Sequence, residues 1–362
     1  MRKIRCNLKK RSYDIIIGKD ILKDLGRILS GLAIGSDAYV ITNSEIKAKY
    51  GVALQNALKG SPFSVHFKTI PDSEKSKSIA VLSAVVNDIA RFDKKKKIFI
   101  IAFGGGVIGD LSGFVASVYK RGIPYVQIPT TLLAQVDSSI GGKTAVDLSQ
   151  GKNLMGAFYQ PRCVLSDISL LKSLSARQMR AGLAEVVKYA CIRDTQLFAF
   201  LEKNYKAVLA CEQNALEYVV SCCSSIKAQV VSVDEREEKG VRTILNFGHT
   251  IGHAIEAAGG YKGYNHGEAV AIGMVAVSEI SLRLGLIDAK TSQRIATLIR
   301  AIGLPTDIRR VSLGKIVAAH YRDKKFIGLK NRFVLLKGIG RTTIVENIPL
   351  ELIKSVLNDL SV

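Results

Sequence analysis

Apolar positions along the first half of the chain switch between two spacings. Residues 13–17, 39–42, 64–69, 97–103 and 125–128 read as strands; 64–69 alternates, and 97–103 is a continuous β-rich run of the kind buried on both faces. Between them, residues 45–57, 76–92 and 110–119 read as helices. In 76–92, Ile79, Leu82, Val85, Val86 and Ile89 recur at helical spacing. Strand–helix–strand alternation predicts a largely parallel sheet covered by helices. Beyond residue 170 the texture changes. Residues 176–190, 195–201, 213–233, 249–258, 268–284, 291–302 and 350–360 all read as helices. The exceptions are two β-rich runs, 332–336 and 342–345, around the turn-like Lys337-Gly338-Ile339-Gly340. The pattern thus predicts an α/β half over 1–172 and a mainly α-helical half over 173–362.

Length and composition narrow the class. At 362 residues the chain suits about two domains, and 48% apolar content excludes disorder and fibrous repeats. The longest uncharged apolar stretches, 98–109 and 269–278, are well short of the ~20 residues a bilayer helix needs. The basic N-terminus carries no secretory apolar run, so a cytoplasmic protein without membrane contact is expected. Six scattered cysteines without a C-x-x-C pair read as reduced core residues. The net charge of +21 raises nucleic acid as a partner, but acids are interspersed and no nucleic-acid motif is present, so none is expected.

Three clusters carry chemistry. The first is GGGVIGD, where Gly104, Gly106 and Gly109 fit G-x-G-x-x-G between a strand and a helix; glycine there lets backbone approach a pyrophosphate at a helix N-terminus. The second, residues 129–153, reads as a polar loop that sets Thr130, Thr131, Asp137, Lys143, Lys152 and Asn153 among glycines, as donors around a phosphorylated ligand would be. The third holds His249, His253 and His266, three of the five histidines, within 18 residues. His249 and His253 are i, i+4 and share a helix face, as a chelating pair requires. His66 and His320 stand alone and read as structural. Glu185 and Lys188, i, i+3 in an apolar stretch, read either as a surface ion pair or as charges buried for a purpose.

Together these segments resemble the 3-dehydroquinate synthase family of the shikimate pathway along nearly the whole chain. The resemblance rests on PDSEKSK (71–77), GGGVIGDLSGFVAS (104–117), residues 120–161, AGLAEVVKYA (181–190), DEREEKGVRTILNFGHTIGHAIE (234–256), NHGEAVAIGM (265–274) and RDKK (322–325). It implies an N-terminal Rossmann-like domain and a mainly α-helical C-terminal domain, with the active site in the cleft between them. Glu185, His249 and His266 become the implied ligands of a divalent metal, zinc with cobalt as a substitute, and His253 turns to the substrate. NAD is the implied cofactor, held by Asn43, Asp72, Ser73, Glu74, Lys75, Ser76, Lys77, Gly106, Val107, Ile108, Gly109, Asp110, Thr130 and Thr131, with Asp137, Lys143 and Lys152 near its nicotinamide end.

The implied substrate is 3-deoxy-D-arabino-heptulosonate 7-phosphate. Its phosphate and carboxylate fall to Lys143, Asn153, Lys188, Lys227, Arg242, Asn246, His253 and Lys324 or Lys325, with Arg121 reaching the neighbouring subunit of a homodimer. The implied reaction is a lyase reaction without net redox change: NAD takes and returns a hydride, phosphate is eliminated, and an intramolecular aldol closure gives 3-dehydroquinate. Ser73 stands where the family usually has Gly, Asn43 where an acid is common, and the DEREEKG loop is one residue longer. A sister sugar-phosphate cyclase and a metal-dependent polyol dehydrogenase are the alternatives. Arg242 and Asn246 favour a carboxylate-bearing substrate, and the lysines have no use in a polyol site.

Overall fold

The computed structural model describes residues 1–94, 97–309, 311–321 and 331–362. Strands β1 (Arg2–Cys6), β2 (Tyr13–Gly18), β3 (Asp37–Asn43), β4 (Ser64–Ile70), β5 (Ile98–Gly104) and β6 (Tyr125–Pro129) come first, with β7 (Lys143–Leu148), β8 (Gly151–Phe158) and β9 (Cys163–Asp167) after them. Helices α1 (Leu25–Ser30), α2 (Ser44–Leu58), α3 (Ile79–Phe92) and α4 (Gly106–Val118) alternate with these strands. Helices α5 (Ala176–Arg193), α6 (Thr195–Leu209), α7 (Gln213–Val233), α8 (His249–Ala258), α9 (His266–Arg283), α10 (Ala289–Ile302) and α11 (Leu313–Tyr321) follow. The hairpin β10 (Arg332–Gly338) and β11 (Arg341–Glu346) and helix α12 (Leu350–Asp359) end the chain.

Met1–Leu174 and Leu216–Arg236 form one compact unit; Ser175–Ala215 and Glu237–Val362 form another. The first is built on a sheet of order β1-β2-β9-β6-β5-β3-β4, parallel except for the β1–β2 pair. Side-chain alternation sends the core to both faces. Ala38, Val40, Phe99, Ile101 and Phe103 pack on α1 and α2, while Tyr39, Ile41, Ile98, Ile100 and Ala102 pack on α3 and α4. Every residue of β5 is buried, as the unbroken apolar run predicts.

The structure revises three local expectations. The stretch 129–153 is not one polar loop: it contains a turn of wide helix, Ala134–Ser138, then β7 paired antiparallel with β8. α4 begins at Gly106, inside the glycine motif, because an N-cap glycine lets the helix start straight off β5. Strands β1 and β9, which short basic or mixed sequence hides, complete the sheet on either side of β2. None of the six cysteines is in a disulfide, and no helix among the described residues is long and apolar enough to cross a membrane.

In the second unit α5, α8 and α9 pack through small residues. A Cβ on Gly273 would lie 2.0 Å from the Gly248 carbonyl oxygen, and one on Gly267 2.4 Å from Ala181 Cα. Only glycine permits such approach, and it brings the three helices carrying Glu185, His249 and His266 side by side.

Candidate active site

In the first unit, polar residues gather at the carboxyl ends of β3, β4, β5 and β6, the usual place for ligands of an open α/β sheet. Gly105 caps α4 without a side chain, so nothing of the motif itself covers the helix N-terminus. A Cβ on Gly104 would meet Ile108 Cγ1 at 2.5 Å, and one on Gly106 would meet Ser138 Oγ at 3.2 Å. Val107 follows in the same turn. Thr130 Oγ1 and Ser138 Oγ are buried beside this turn with no hydrogen-bond partner. An open helix N-terminus, glycines that keep it clear and two orphaned hydroxyls fit a pyrophosphate.

Around it lies a network of charges. Lys77 donates to Asp110 Oδ2 at 2.8 Å and to Asn153 Oδ1, and Glu74 stands 3.8 Å from Lys77 and 3.7 Å from Lys152. Burial raises the Asp110 carboxyl despite Lys77. Burial pulls Lys77 down, but Asp110 and Glu74 outweigh it and its pKa is raised. Lys227 of α7 pairs with Asp137, also donating to its backbone carbonyl at 2.8 Å. Several expected contacts are spent on local structure: Asn43 caps α2 at Ile46, Ser73 accepts from the Lys75 N–H, Ser76 donates to the Pro71 carbonyl, and Thr131 accepts from Ala134 N–H. Asp72 and Lys75 are exposed beside them, and Lys143 opens β7 exposed. Arg121 is exposed with φ +63, between Lys120 at +50 and Gly122 at +126, a left-handed turn that projects it from α4's end.

The second unit holds the metal candidates. Glu185 and Lys188 are both 1% exposed, so their i, i+3 pair is interior. Lys188 lies against one Glu185 oxygen and 4.6 Å above the Tyr189 ring. Against the other oxygen stand His249 Nε2 at 3.4 Å and His266 Nε2 at 3.3 Å. Neither carboxylate oxygen makes a well-formed hydrogen bond. Two donors bound about 2.0–2.1 Å from one tetrahedral ion are themselves about 3.3–3.4 Å apart. The spacing and the lone pairs converging without hydrogen-bond geometry fit a shared cation.

Neighbours fix the rings. His249 Nδ1 is 3.1 Å from the Phe247 carbonyl and His266 Nδ1 is 3.2 Å from Glu256 Oε2, leaving Nε2 of each for a metal. Burial would raise Glu185, but Lys188 and His249 hold its carboxyl well below the ordinary range. Burial lowers His249 below its usual value although Glu185 opposes this. For His266 burial also opposes charge, but the Glu185 and Glu256 carboxylates push it up to about 10.

The i, i+4 spacing pairs His249 with His253, and their rings are 5.3 Å apart. The donors that gather within 4.8 Å are instead Glu185, His249 and His266, with a second group of His253, Glu256 and His266. Sequence reasoning missed Glu256, although it is i+7 from His249 on the same helix stripe. Arg242 is buried at the head of a 3-10 turn, and Asn246, at its end, donates to Glu237 Oε1 at 3.2 Å. Lys324 and Lys325 lie outside the described residues.

Known proteins match nearly the whole chain. A family profile described as 3-dehydroquinate synthase N-terminal matches residues 67–181, and one described as 3-dehydroquinate synthase C-terminal matches residues 182–326. The 3-dehydroquinate synthase of Desulforamulus reducens is 45% identical over 96% of this chain and 97% of its own length. That of Shewanella denitrificans is 43% identical over 99% of both. A 2-deoxy-scyllo-inosose synthase complexed with carbaglucose-6-phosphate, NAD+ and Co2+ superposes with TM-score 0.89 at 28% identity, over 99% of this chain and 100% of that one. The 2-epi-5-epi-valiolone synthase of Streptomyces hygroscopicus, with NAD+ and Zn2+ bound, gives 0.89 at 28% over 98% of each. A probable glycerol dehydrogenase from Sinorhizobium meliloti, at 17% identity and TM-score 0.62 over 96% of this chain and 95% of its own, shares the fold alone. Matched by both profiles and aligned almost end to end with these relatives, the chain belongs to the 3-dehydroquinate synthase family.

Proposed function

We propose that this chain is an NAD- and zinc-dependent 3-dehydroquinate synthase, converting 3-deoxy-D-arabino-heptulosonate 7-phosphate to 3-dehydroquinate and phosphate. The observation that carries the reading is the convergence of His249 and His266 on the buried Glu185 beside the Lys188 ammonium, in a chain 45% identical to such a synthase over nearly its full length. When bound, NAD supplies a reversible hydride acceptor and the metal a Lewis acid, so that phosphate is eliminated without net redox change. The metal would be held by Glu185, His249 and His266, and NAD by the α4 N-terminus with Asn43, residues 72–77, Thr130, Thr131, Asp137 and Lys152.

The chain's own residues then have distinct work. Lys143, Lys188, Lys227, Arg242 and one of Lys324 and Lys325 offer fixed cations to a phosphate dianion and a carboxylate, with Asn153, Asn246 and His253 as hydrogen-bonding partners. Lys188 and Lys227 are each held by a carboxylate, Glu185 and Asp137, which fixes their position before an anion arrives. Arg121, in its left-handed turn, would serve the second subunit of a homodimer, and the enzyme would work in the cytoplasm.

A sister cyclase is the second reading, favoured by the TM-score of 0.89 to 2-deoxy-scyllo-inosose synthase; the buried Arg242 argues for a substrate carboxylate instead. The test is phosphate release from the heptulosonate phosphate with NAD and Zn2+. Phosphate and 3-dehydroquinate without accumulating NADH, abolished by chelation and restored by Zn2+ or Co2+, is the expected result. No phosphate release from metal-loaded protein refutes the assignment, and NADH accumulating with simple polyols would place the chain with the dehydrogenases.

A further inference from the structure

We propose that Glu256 is a positioning residue that orients His266 for the metal ion, a role that rests on the Glu185, His249 and His266 set proposed above. His249, His253 and Glu256 sit at i, i+4 and i+7 on α8, so one stripe of this helix faces the first residue of α9, His266. The two nitrogens of His266 are addressed by different carboxylates: Nε2 is 3.3 Å from Glu185 and Nδ1 3.2 Å from Glu256. A neutral imidazole carries one ring proton. With Nε2 given to an ion, that proton stays on Nδ1, and the Glu256 carboxylate is the acceptor placed to take it.

The two histidine ligands differ in how they are held. His249 opens α8 with its side chain only 11% exposed, and its Nδ1 meets a backbone carbonyl. His266 likewise opens its helix but is 36% exposed, so packing leaves its ring freer to turn. Glu256 itself is 7% exposed, so its hydrogen bond is little screened by water. A carboxylate partner also raises the basicity of the ligating nitrogen more than a carbonyl does. Glu256 thus supplies both the orientation and the donor strength that His266 lacks by itself. Its alternative is to be a ligand, because His253, Glu256 and His266 form a second converging group. That would require His266 to give up its remaining proton and bridge two ions.

Titration of chelator-stripped full-length protein with Co2+, followed by its visible spectrum and by bound stoichiometry, separates these roles. The wild type should take one Co2+ per chain. Glu256→Ala should bind it about 10- to 100-fold more weakly with an altered spectrum. Glu256→Gln, whose amide oxygen still accepts from Nδ1, should recover part of the affinity and the wild-type spectrum. Thermal melting and NAD binding of each variant report whether the fold is kept. Equal affinity and spectrum in wild type and Glu256→Ala overturn the proposal. So does a wild type that binds two ions and a Glu256→Ala variant that loses only one. A wild type that takes up no Co2+ overturns the metal set and this role together.

Discussion

Replacing Gly273 by alanine should disable the metal site from a distance. Gly273 lies inside α9, where a Cβ would stand 2.0 Å from the Gly248 carbonyl oxygen and 2.9 Å from Gly252 N. Those two atoms form the first-turn hydrogen bond of α8 at 2.9 Å, directly around His249. Real Cβ contacts start near 3.0 Å, so the start of α8 must retreat by about 1 Å. Metal sites tolerate displacements of only about 0.2 Å in ligand distance. Overpacking of a backbone, which cannot rotate away, costs at least about 3 kcal/mol, at the upper end for such insertions. At about 2–4 °C per kcal/mol for a folded unit of about 150–250 residues, the size class of the second unit, that lowers its Tm by roughly 6–12 °C.

The assay is Co2+ titration alongside thermal unfolding. Gly273→Ala should lose at least about 100-fold in Co2+ affinity, in line with a site whose ligands no longer converge. Gly314→Ala is the matched control: it is also helical, with nothing within 4 Å of the added Cβ, and should be neutral or stabilising by about 0.5–1 kcal/mol. A Gly273→Ala protein with wild-type Tm and wild-type Co2+ affinity would refute the claim that close α8–α9 approach sets the ligand geometry.

Other outcomes follow from the same structure. Glu185→Gln should abolish metal binding and, by leaving the 1% exposed Lys188 ammonium without its carboxylate, destabilise the chain by about 3–5 kcal/mol in denaturant melts. In the metal-free protein His266 holds its proton to about pH 10 rather than 6.5. The stability it contributes is therefore complete below pH 6.5 and is lost as pH rises through 10, measurable as a falling Tm in a chelator. Metal affinity should climb over the same window, because the ion displaces that proton; a flat pH dependence would contradict the arrangement. Gly104→Ala, whose Cβ would lie 2.5 Å from Ile108 Cγ1, should distort the first turn of α4. It should weaken NAD binding measured by calorimetry while leaving Co2+ affinity intact.

Much of this fold is legible in the chain. The buried β5 run, the amphipathic α3 and the 249–258 helix each carry a period that burial enforces locally, so their positions follow from the spacing of apolar residues. The β7–β8 hairpin was hidden because glycines and charges make its sequence look like a loop, and only pairing along its length makes it a strand pair. Its consequence is local: Asn153, with φ +55, meets Lys77 from a strand rather than from a flexible loop.

The sequence by itself determined the alternation of strands and helices, the glycine turn after β5 and the clustering of histidines, because each depends on residues a few positions apart. It also carried the family's motifs. What spacing alone could not decide, and only the resemblance implied, is which donors meet. Glu185 lies 64 positions before His249, and no periodicity links them. Residues 216–236 join the first unit although the second unit's segments flank them in sequence, a choice made by burial over long separations. The i, i+4 spacing offered His249 with His253. Tertiary packing set His249 against Glu185 and His266, and gave His266 a carboxylate at Glu256, because glycines at 248, 252, 267 and 273 let three helices approach at backbone distance. Convergence of that kind is a property of packed surfaces, and those exist only once the chain has folded.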